Sequence, residues 1–409
     1  MPLSKRSRGE RDAPRTSEPT GQQHGDAPRT SEPTGQPHGD APRTSEPTGQ
    51  QHLYLIFDDW EWGYSIRKLN LANAGGEQRC LPPPFIRLEA RRGRPKFFAA
   101  VGTKILATRS RFEFVNANAM EPGGILPIVD VRSRGVIFGP GQVRQENPIY
   151  LPLGDELFAL DTATFEMLSM KPMWPPRLEY EHRHQISLWS WVNLPMPTFQ
   201  RMDVTSYAVG SDGQTILFST DAATFSFDCQ RHEWKKLLEW SLPFSGQAYY
   251  VHDLDVFVGL PKDVDDDSGR LCFCRWSGDD KHVWLSKENL SSKDSAENHH
   301  VGTSLVYLGG SRFCLVECLG NGSAKAVQEW LEKWQEKWVE GQTAEEGSTE
   351  EEDSTEEEGC PLGLGSCCLT TFSLSSDMNG DLMAAKTAVQ CYKMPWDASP
   401  NVNPVAFWL

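Results

Sequence analysis

The chain has 409 residues, with 40 Lys and Arg against 56 Asp and Glu, a net charge of −16, ten Cys and fourteen Trp. That length allows two or three domains, and a hydrophobic content of 38% supports a core and excludes a wholly disordered chain. Such a charge argues against non-specific binding to nucleic acid or to an anionic membrane, and no run of apolar residues is long enough for a membrane-spanning helix.

Residues 1–52 form a segment of their own. Met1-Pro-Leu-Ser-Lys-Arg-Ser-Arg8 runs straight into polar sequence, without the apolar core of a secretory signal. A cytoplasmic or nuclear location is therefore expected, and with it ten reduced thiols, not disulfides. Lys5-Arg6-Ser7-Arg8 can be read as a nuclear-import signal or as a solvated terminus. The unit Asp-Ala-Pro-Arg-Thr-Ser-Glu-Pro-Thr-Gly-Gln then starts at Asp12, Asp26 and Asp40, a period of 14. It contains no Leu, Ile, Val, Met or aromatic residue. Burial cannot offset the entropy of ordering it, so disorder is expected.

Texture changes at Leu53. Leu53–Phe57 is an apolar β-type run expected to end at Asp58-Asp59, and Gly63–Leu69 alternates as a half-buried strand does. Leu81-Pro-Pro-Pro-Phe85 reads as a connection. Phe97–Val101, Gly102 and Lys104–Thr108 suggest a strand, a tight turn and a strand. The same pattern recurs at Ile125–Asp130 with Gly135–Phe138, at Ile149–Leu153 with Leu157–Asp161, and at Val204–Val209, Thr215–Ser219 and Thr224–Asp228. Further runs are Gln247–Val251, Asp255–Gly259, Leu271–Cys274, Ser304–Leu308, Arg312–Glu317 and Leu369–Leu374. Short strands separated by Gly, Asp and Pro turns, with no alternating amphipathic helices, predict an all-β antiparallel fold. Their number suits a β-propeller of four-stranded blades. Over residues 53–409, without an insertion at 321–366, six blades fit better than seven.

A finer pattern points the same way. Asp228 is followed by Trp234, Asp161 by Phe165, Asp130 by Val136 and Cys274 by Trp284. Each pair is expected to span the turn between the third and fourth strands of a blade, with the bulky residue filling the gap to the neighbouring blade.

Asp228 with Trp234, and Leu305-Val-Tyr-Leu-Gly309-Gly310, resemble degenerate kelch repeats. More broadly, residues 53–395 are similar to a large family of grass-lineage plant proteins known only as a domain of unknown function. The stretches that carry the similarity are Leu55–Trp60 with Gly63–Ile66, Leu81–Pro84, Phe97–Ala100 with Gly102–Lys104, Ser206–Val209, Thr224–Asp228, Leu242–Phe244, His300–Gly302 and Gly309–Cys318. The resemblance implies a kelch-like propeller and no catalytic residue. Many related plant propellers carry an F-box ahead of the repeats. Here the 14-residue repeat occupies that position, so no link to a ubiquitin ligase is implied.

Residues 321–366 differ from the rest. Ser323 is a candidate cap for a helix over Ala324–Val339, which ends at Gly341. Val327, Trp330, Leu331, Trp334 and Trp338 share one face. Trp330, Trp334 and Trp338 can dock a protein partner, or the stripe can pack on the flank of the propeller. Residues 340–358 contain ten acids and no base, so this one loop carries most of the net charge. Residues 1–52 hold seven of each sign. The remainder is only mildly acidic, and the total does not exclude a local basic face.

Motifs for chemistry are weak. Cys272-x-Cys274, Cys314-x₃-Cys318 and Cys367-Cys368 lack paired metal-ligand spacing and read as core thiols. His182-x-His184 and His299-His300 read as loop histidines, and Asp263 with Asp265–Asp267 lacks the Gly and Glu of a calcium loop. Gly139-Pro-Gly141 reads as a turn. No phosphate loop, dinucleotide fingerprint or nucleophile elbow occurs. Among kelch-like propellers, galactose oxidase needs two Tyr, a crosslinked Cys and two His around copper, and no local pattern marks that set. No cofactor, metal or catalytic residue is therefore assigned. The expectation is a non-enzymatic protein-interaction module with a protein partner and no nucleic acid or membrane partner. The alternative is a propeller that binds or turns over a small molecule or carbohydrate at its axis. A cluster of His, Asp, Glu or Tyr at the central mouth would favour that alternative.

Overall fold

A computed structural model describes residues 51–60, 63–71, 79–89, 97–108, 125–141, 147–170, 189–262, 269–277, 280–291, 299–320, 364–377, 381–395, 398 and 404–409. All of them belong to the unit Gln50–Leu409. The 14-residue repeat, the acidic tract and the stretch that carries Trp330, Trp334 and Trp338 lie outside the described residues.

In chain order the strands are β1 (Leu53–Trp60), β2 (Gly63–Leu69), β3 (Arg79–Cys80), β4 (Ile86–Glu89), β5 (Phe98–Val101), β6 (Lys104–Ala107), β7 (Ile125–Asp130) and β8 (Gly135–Pro140). Next come β9 (Ile149–Leu153), β10 (Glu156–Leu160), β11 (Phe165–Ser169), β12 (Trp191–Asn193), β13 (Val204–Val209), β14 (Thr215–Thr220), β15 (Thr224–Asp228) and β16 (Glu233–Leu238). The rest are β17 (Phe244–Val251), β18 (Val256–Pro261), β19 (Cys272–Ser277), β20 (Asp280–Leu285), β21 (His299–Gly309), β22 (Arg312–Gly320), β23 (Leu364–Ser376), β24 (Leu382–Lys393) and β25 (Val405–Trp408). Among the described residues the only helical turns are two short 3₁₀ segments, Arg201–Asp203 and His252–Leu254.

The fold is all-β and propeller-like. Strands β5 to β8 and β9 to β12 form four-stranded antiparallel meanders. Strands β13 to β16 and β17 to β20 form two more, merged into an eight-stranded sheet by parallel pairing of β13 with β17. Strands β21 to β24 form a further meander, and β3 adds to β24 in parallel. The remaining sheet draws on both ends of the unit, because β25 pairs antiparallel with β1 in the order β25-β1-β2-β4. First strands lie side by side: β5 against β9, β9 against β13, β13 against β17, and β21 against β25.

Apolar clusters fill the spaces between successive meanders. Strand β1 shows why its sequence is a continuous apolar run. Leu53, Leu55 and Phe57 pack with Val306, Val316 and Leu369 on one side, while Tyr54 and Ile56 pack with Ile105 and Val129 on the other. A strand covered on both faces has no polar alternation to show. At about 1.5–3 kcal/mol for each fully buried large side chain, these clusters dominate the stability of the unit. Trp234 packs against Phe165, Phe199, Phe218 and Phe227 between the β9–β12 and β13–β16 meanders, and Trp284 packs against the cluster shared by β17–β20 and β21–β24, as gap-fillers should.

Several expectations are corrected. Strand β1 runs through Asp58-Asp59 to Trp60, because the buried Asp59 carboxylate has a guanidinium partner in Arg67. Asp161 marks the β10–β11 turn, between the second and third strands of its meander, whereas Asp130 and Asp228 do mark the third-to-fourth turn. Val136 fills no gap and is 43% exposed. Gly139 and Pro140 belong to β8, not to a turn. The thiols are not all free. Antiparallel register puts Cys368 directly opposite Cys391, and the two form a disulfide.

Candidate ligand site at the first strands

The parallel β13–β17 pair is the structural basis of the site. Ser206 lies opposite Gly246, Tyr207 opposite Gln247, and Ala208 opposite Ala248. Ala208 and Ala248 point into the cluster shared by the two meanders. Side chains alternate along a strand, so Tyr207, Gln247 and Tyr249 take the other face. There Tyr207 adjoins the cluster toward β9 and β10, and Tyr249 adjoins the cluster toward β21. This face, where first strands meet, carries two phenols and an amide.

The chain entering β13 adds a cation. Residues Arg201–Asp203 form a 3₁₀ turn, held by the Gln200 N–H donating to Asp203 Oδ2 at 3.3 Å and the Asp203 N–H donating to Gln200 O at 3.1 Å. The Arg201 Nη2 donates to Asn147 Oδ1 at a long 3.4 Å. Asn147 is itself placed by its backbone N–H on Asp161 Oδ1 at 3.1 Å, and its Nδ2 faces Met202 Sδ at 3.4 Å. The same Asp161 oxygen accepts the Thr162 N–H at 2.7 Å. The Arg201 Nε is buried and has no hydrogen-bond partner among the described residues. Next to it, Met202 is 65% exposed, so the turn lies at the surface.

Electrostatics couple these groups. Burial pulls the Arg201 pKa down, opposed by electrostatic interaction with Tyr207 and Asp161. Burial raises the Tyr207 pKa, opposed by Arg201. Burial also raises the Tyr249 pKa, and Tyr207 adds to the rise. Both phenols are neutral donors at neutral pH. The Tyr249 hydroxyl donates to Leu305 O at 3.0 Å, while its ring stacks on Tyr307 at 5.8 Å.

Among the described residues, Asp161 is the one singled out in the sequence, as a turn landmark, that enters this site. Trp330, Trp334, Trp338, His182, His184, Asp263 and Asp265–Asp267 lie outside the described residues. His299 and His300 open β21. Cys272, Cys274, Cys314, Cys318 and Cys367 are buried core thiols. Burial pushes the Cys274 thiol up to about 11, which makes it inert as a nucleophile. Among the described residues no three His, Cys, Asp or Glu side chains group as metal ligands do. No described helix is long and apolar enough to cross a membrane. Sequence reading passed over Arg201, Tyr207 and Tyr249. The available signal is that first strands of successive meanders, Val204-Thr-Ser-Tyr-Ala-Val209 and Gly246-Gln-Ala-Tyr-Tyr-Val251, both carry Tyr near their ends.

Comparisons with known proteins give a family and no function. The chain is similar to AztD from Citrobacter koseri in its apo form, with 10% identity over 88% of this chain and 98% of that one and a TM-score of 0.40. It is similar to a protein of unknown function from Bacteroides thetaiotaomicron, with 12% identity over 66% of this chain and a TM-score of 0.34, and it spans 62% of that protein's length. It is also similar to the N-terminal domain of Nup159, with 12% identity over 66% of this chain and 69% of that one and a TM-score of 0.31. No curated protein matches the chain. Residues 50–392 match the family described as protein of unknown function, DUF1668, and the chain belongs to that family.

Proposed function

We propose that the chain is a six-bladed, kelch-like propeller that binds a small polar ligand where its first strands meet. The blade count is supported by the succession of four-stranded meanders and by β25, which supplies the first strand of the sheet made with β1, β2 and β4. The kelch-like reading is supported by Gly309 and Gly310, which turn β21 into β22 at φ 94° and 62°. The observation that carries the ligand reading is the shared face of Tyr207, Gln247 and Tyr249, with Arg201 at its edge. Aromatic walls with a few converging polar groups are what small-molecule sites offer. The test is a thermal-shift and calorimetric panel on the full chain with inorganic phosphate, succinate and methyl glucoside. At least one should bind the wild type and bind Gln247→Ala or Tyr207→Phe more weakly. Absence of binding by all three overturns the reading.

A protein-docking role has its own support. Strand β8 is the last strand of its sheet, and its Val136, Ile137 and Phe138 are 43%, 37% and 70% exposed. An open edge with consecutive apolar side chains is a template for an added strand. Phe138→Asp should then abolish capture of a specific partner by the full chain. Equal capture by wild type and variant overturns this role.

A further inference from the structure

We infer that the ligand at the first strands is a small oxyanion, a carboxylate or phosphate, and that Arg201 is the residue that anchors it. The inference rests on the ligand reading above and adds the chemistry of the ligand.

A guanidinium carries five N–H donors in a planar fork and keeps its charge in proteins, so donors taken out of water need acceptors. Arg67 meets that need inside the protein. Its Nε and Nη2 both donate to Asp59 Oδ2, at 2.8 and 2.5 Å, and its Nη1 donates to Pro82 O at 2.5 Å. Arg275 also meets it, with Nε on Asp255 O at 2.6 Å and Nη2 on Leu254 O at 2.5 Å. Arg87 lies over the Trp60 ring, 5.2 Å from its centre.

Arg201 does not follow them. It is half-buried, its Nε has no acceptor among the described residues, and its Nη2 has only the long contact to Asn147. Asp161 is close enough to act on it electrostatically but accepts the Asn147 and Thr162 N–H groups on Oδ1. Among the described residues Arg201 has no ion-pair partner. A cation left short of acceptors in a partly desolvated position costs stability, and two oxygens of a carboxylate or phosphate placed against the guanidinium edge would supply what is missing. Tyr207, a neutral phenol on the next strand, is close enough for Arg201 to act on it electrostatically, and would be a second donor for the same oxyanion.

The experiment is isothermal titration of the full chain with inorganic phosphate, succinate and methyl glucoside, at low and at high salt. Phosphate or succinate should bind, more weakly at high salt, and Arg201→Gln should weaken that binding by about tenfold or more. Arg201→Lys keeps the charge but loses the fork, and should fall between the two. Tyr207→Phe serves as a second variant if Arg201→Gln unfolds, and should weaken anion binding while leaving its salt dependence in place. Anion binding unchanged in Arg201→Gln or in Tyr207→Phe overturns the inference. Binding of methyl glucoside without either anion overturns the inference alone and leaves the ligand reading standing. Failure of all three probes overturns both.

Discussion

The phenol of Tyr249 donates to the carbonyl oxygen of Leu305 at 3.0 Å and so ties β17 to β21 across the boundary between two meanders. Tyr249→Phe keeps the ring and removes the donor. It should cost about 1–2 kcal/mol in denaturant unfolding. The effect also has a pH signature. Burial raises the Tyr249 pKa above its unfolded value near 10, so its contribution is complete below about pH 10 and is lost as pH rises from there through the folded value. The variant should show a shallower fall of stability on the alkaline side, as read by chemical denaturation at stepped pH.

The Cys368–Cys391 bridge joins adjacent strands 23 residues apart in sequence. Closing a loop of that length in the unfolded chain stabilises the fold by about 3 kcal/mol in the chain-entropy account. Treatment with dithiothreitol, or Cys391→Ser, should lower the thermal midpoint by several degrees. Mass spectrometry after alkylation without reduction should find Cys368 and Cys391 unlabelled.

Three aspartates at turns predict acid sensitivity. The N–H groups of Arg231 and Gln230 hold the Asp228 carboxyl below the ordinary range. For Asp130, burial acts upward but is outweighed by the N–H groups of Arg132 and Ser133 and by Thr103. For Asp212, burial is outweighed by Thr215 and Gln214. A depressed folded pKa means stability that is full above the unfolded value near 4 and is lost as pH falls through the folded values. Replacing all three by Asn keeps an acceptor oxygen and removes the charge. The variant should then be less stable than the wild type at neutral pH and converge with it below about pH 4, so that its acid unfolding, followed by circular dichroism, is less steep.

Gly259 on β18 is needed for close packing. A Cβ built there would lie 2.8 Å from Phe244 Cδ1, 3.1 Å from Phe244 Cγ and 3.2 Å from Ala248 Cβ. Phe244 is fully buried and has no room to withdraw. Gly259→Ala should therefore destabilise by about 1–3 kcal/mol, measured by urea unfolding against the wild type.

Strands and turns were legible where hydrophobic alternation and turn chemistry coincide. Gly63–Leu69, Ile125–Asp130, Ile149–Leu153, Val204–Val209 and Thr224–Asp228 match their strands at both ends. Trp234 was legible as a gap-filler, because bulk just after a polar turn has few other uses. Strands whose exposed faces blur the alternation were not, as with β24 and its Met383, Lys386 and Val389. Asp59 was misread as a strand end because its partner Arg67 lies on the next strand, and local sequence does not display that pairing. The ligand site was hidden for the same reason at longer range. Arg201, Asn147 and Asp161 are brought together by neighbouring meanders, and each alone is an ordinary surface-type residue.

Pairing of β25 with β1 sets Leu53 against Trp408 and Ile56 against Val405, with His52 and Leu409 exchanging backbone hydrogen bonds of 2.8 and 3.1 Å. During synthesis β1 emerges early and then waits, one edge bare, until Val405–Trp408 have been made. Contacts of such long sequence separation slow folding and prolong the exposure of an apolar strand edge. The last four residues of this pairing thus govern the time the nascent chain spends open to aggregation, and a ribosome stalled before Val405 would carry a sheet that has no means of closing.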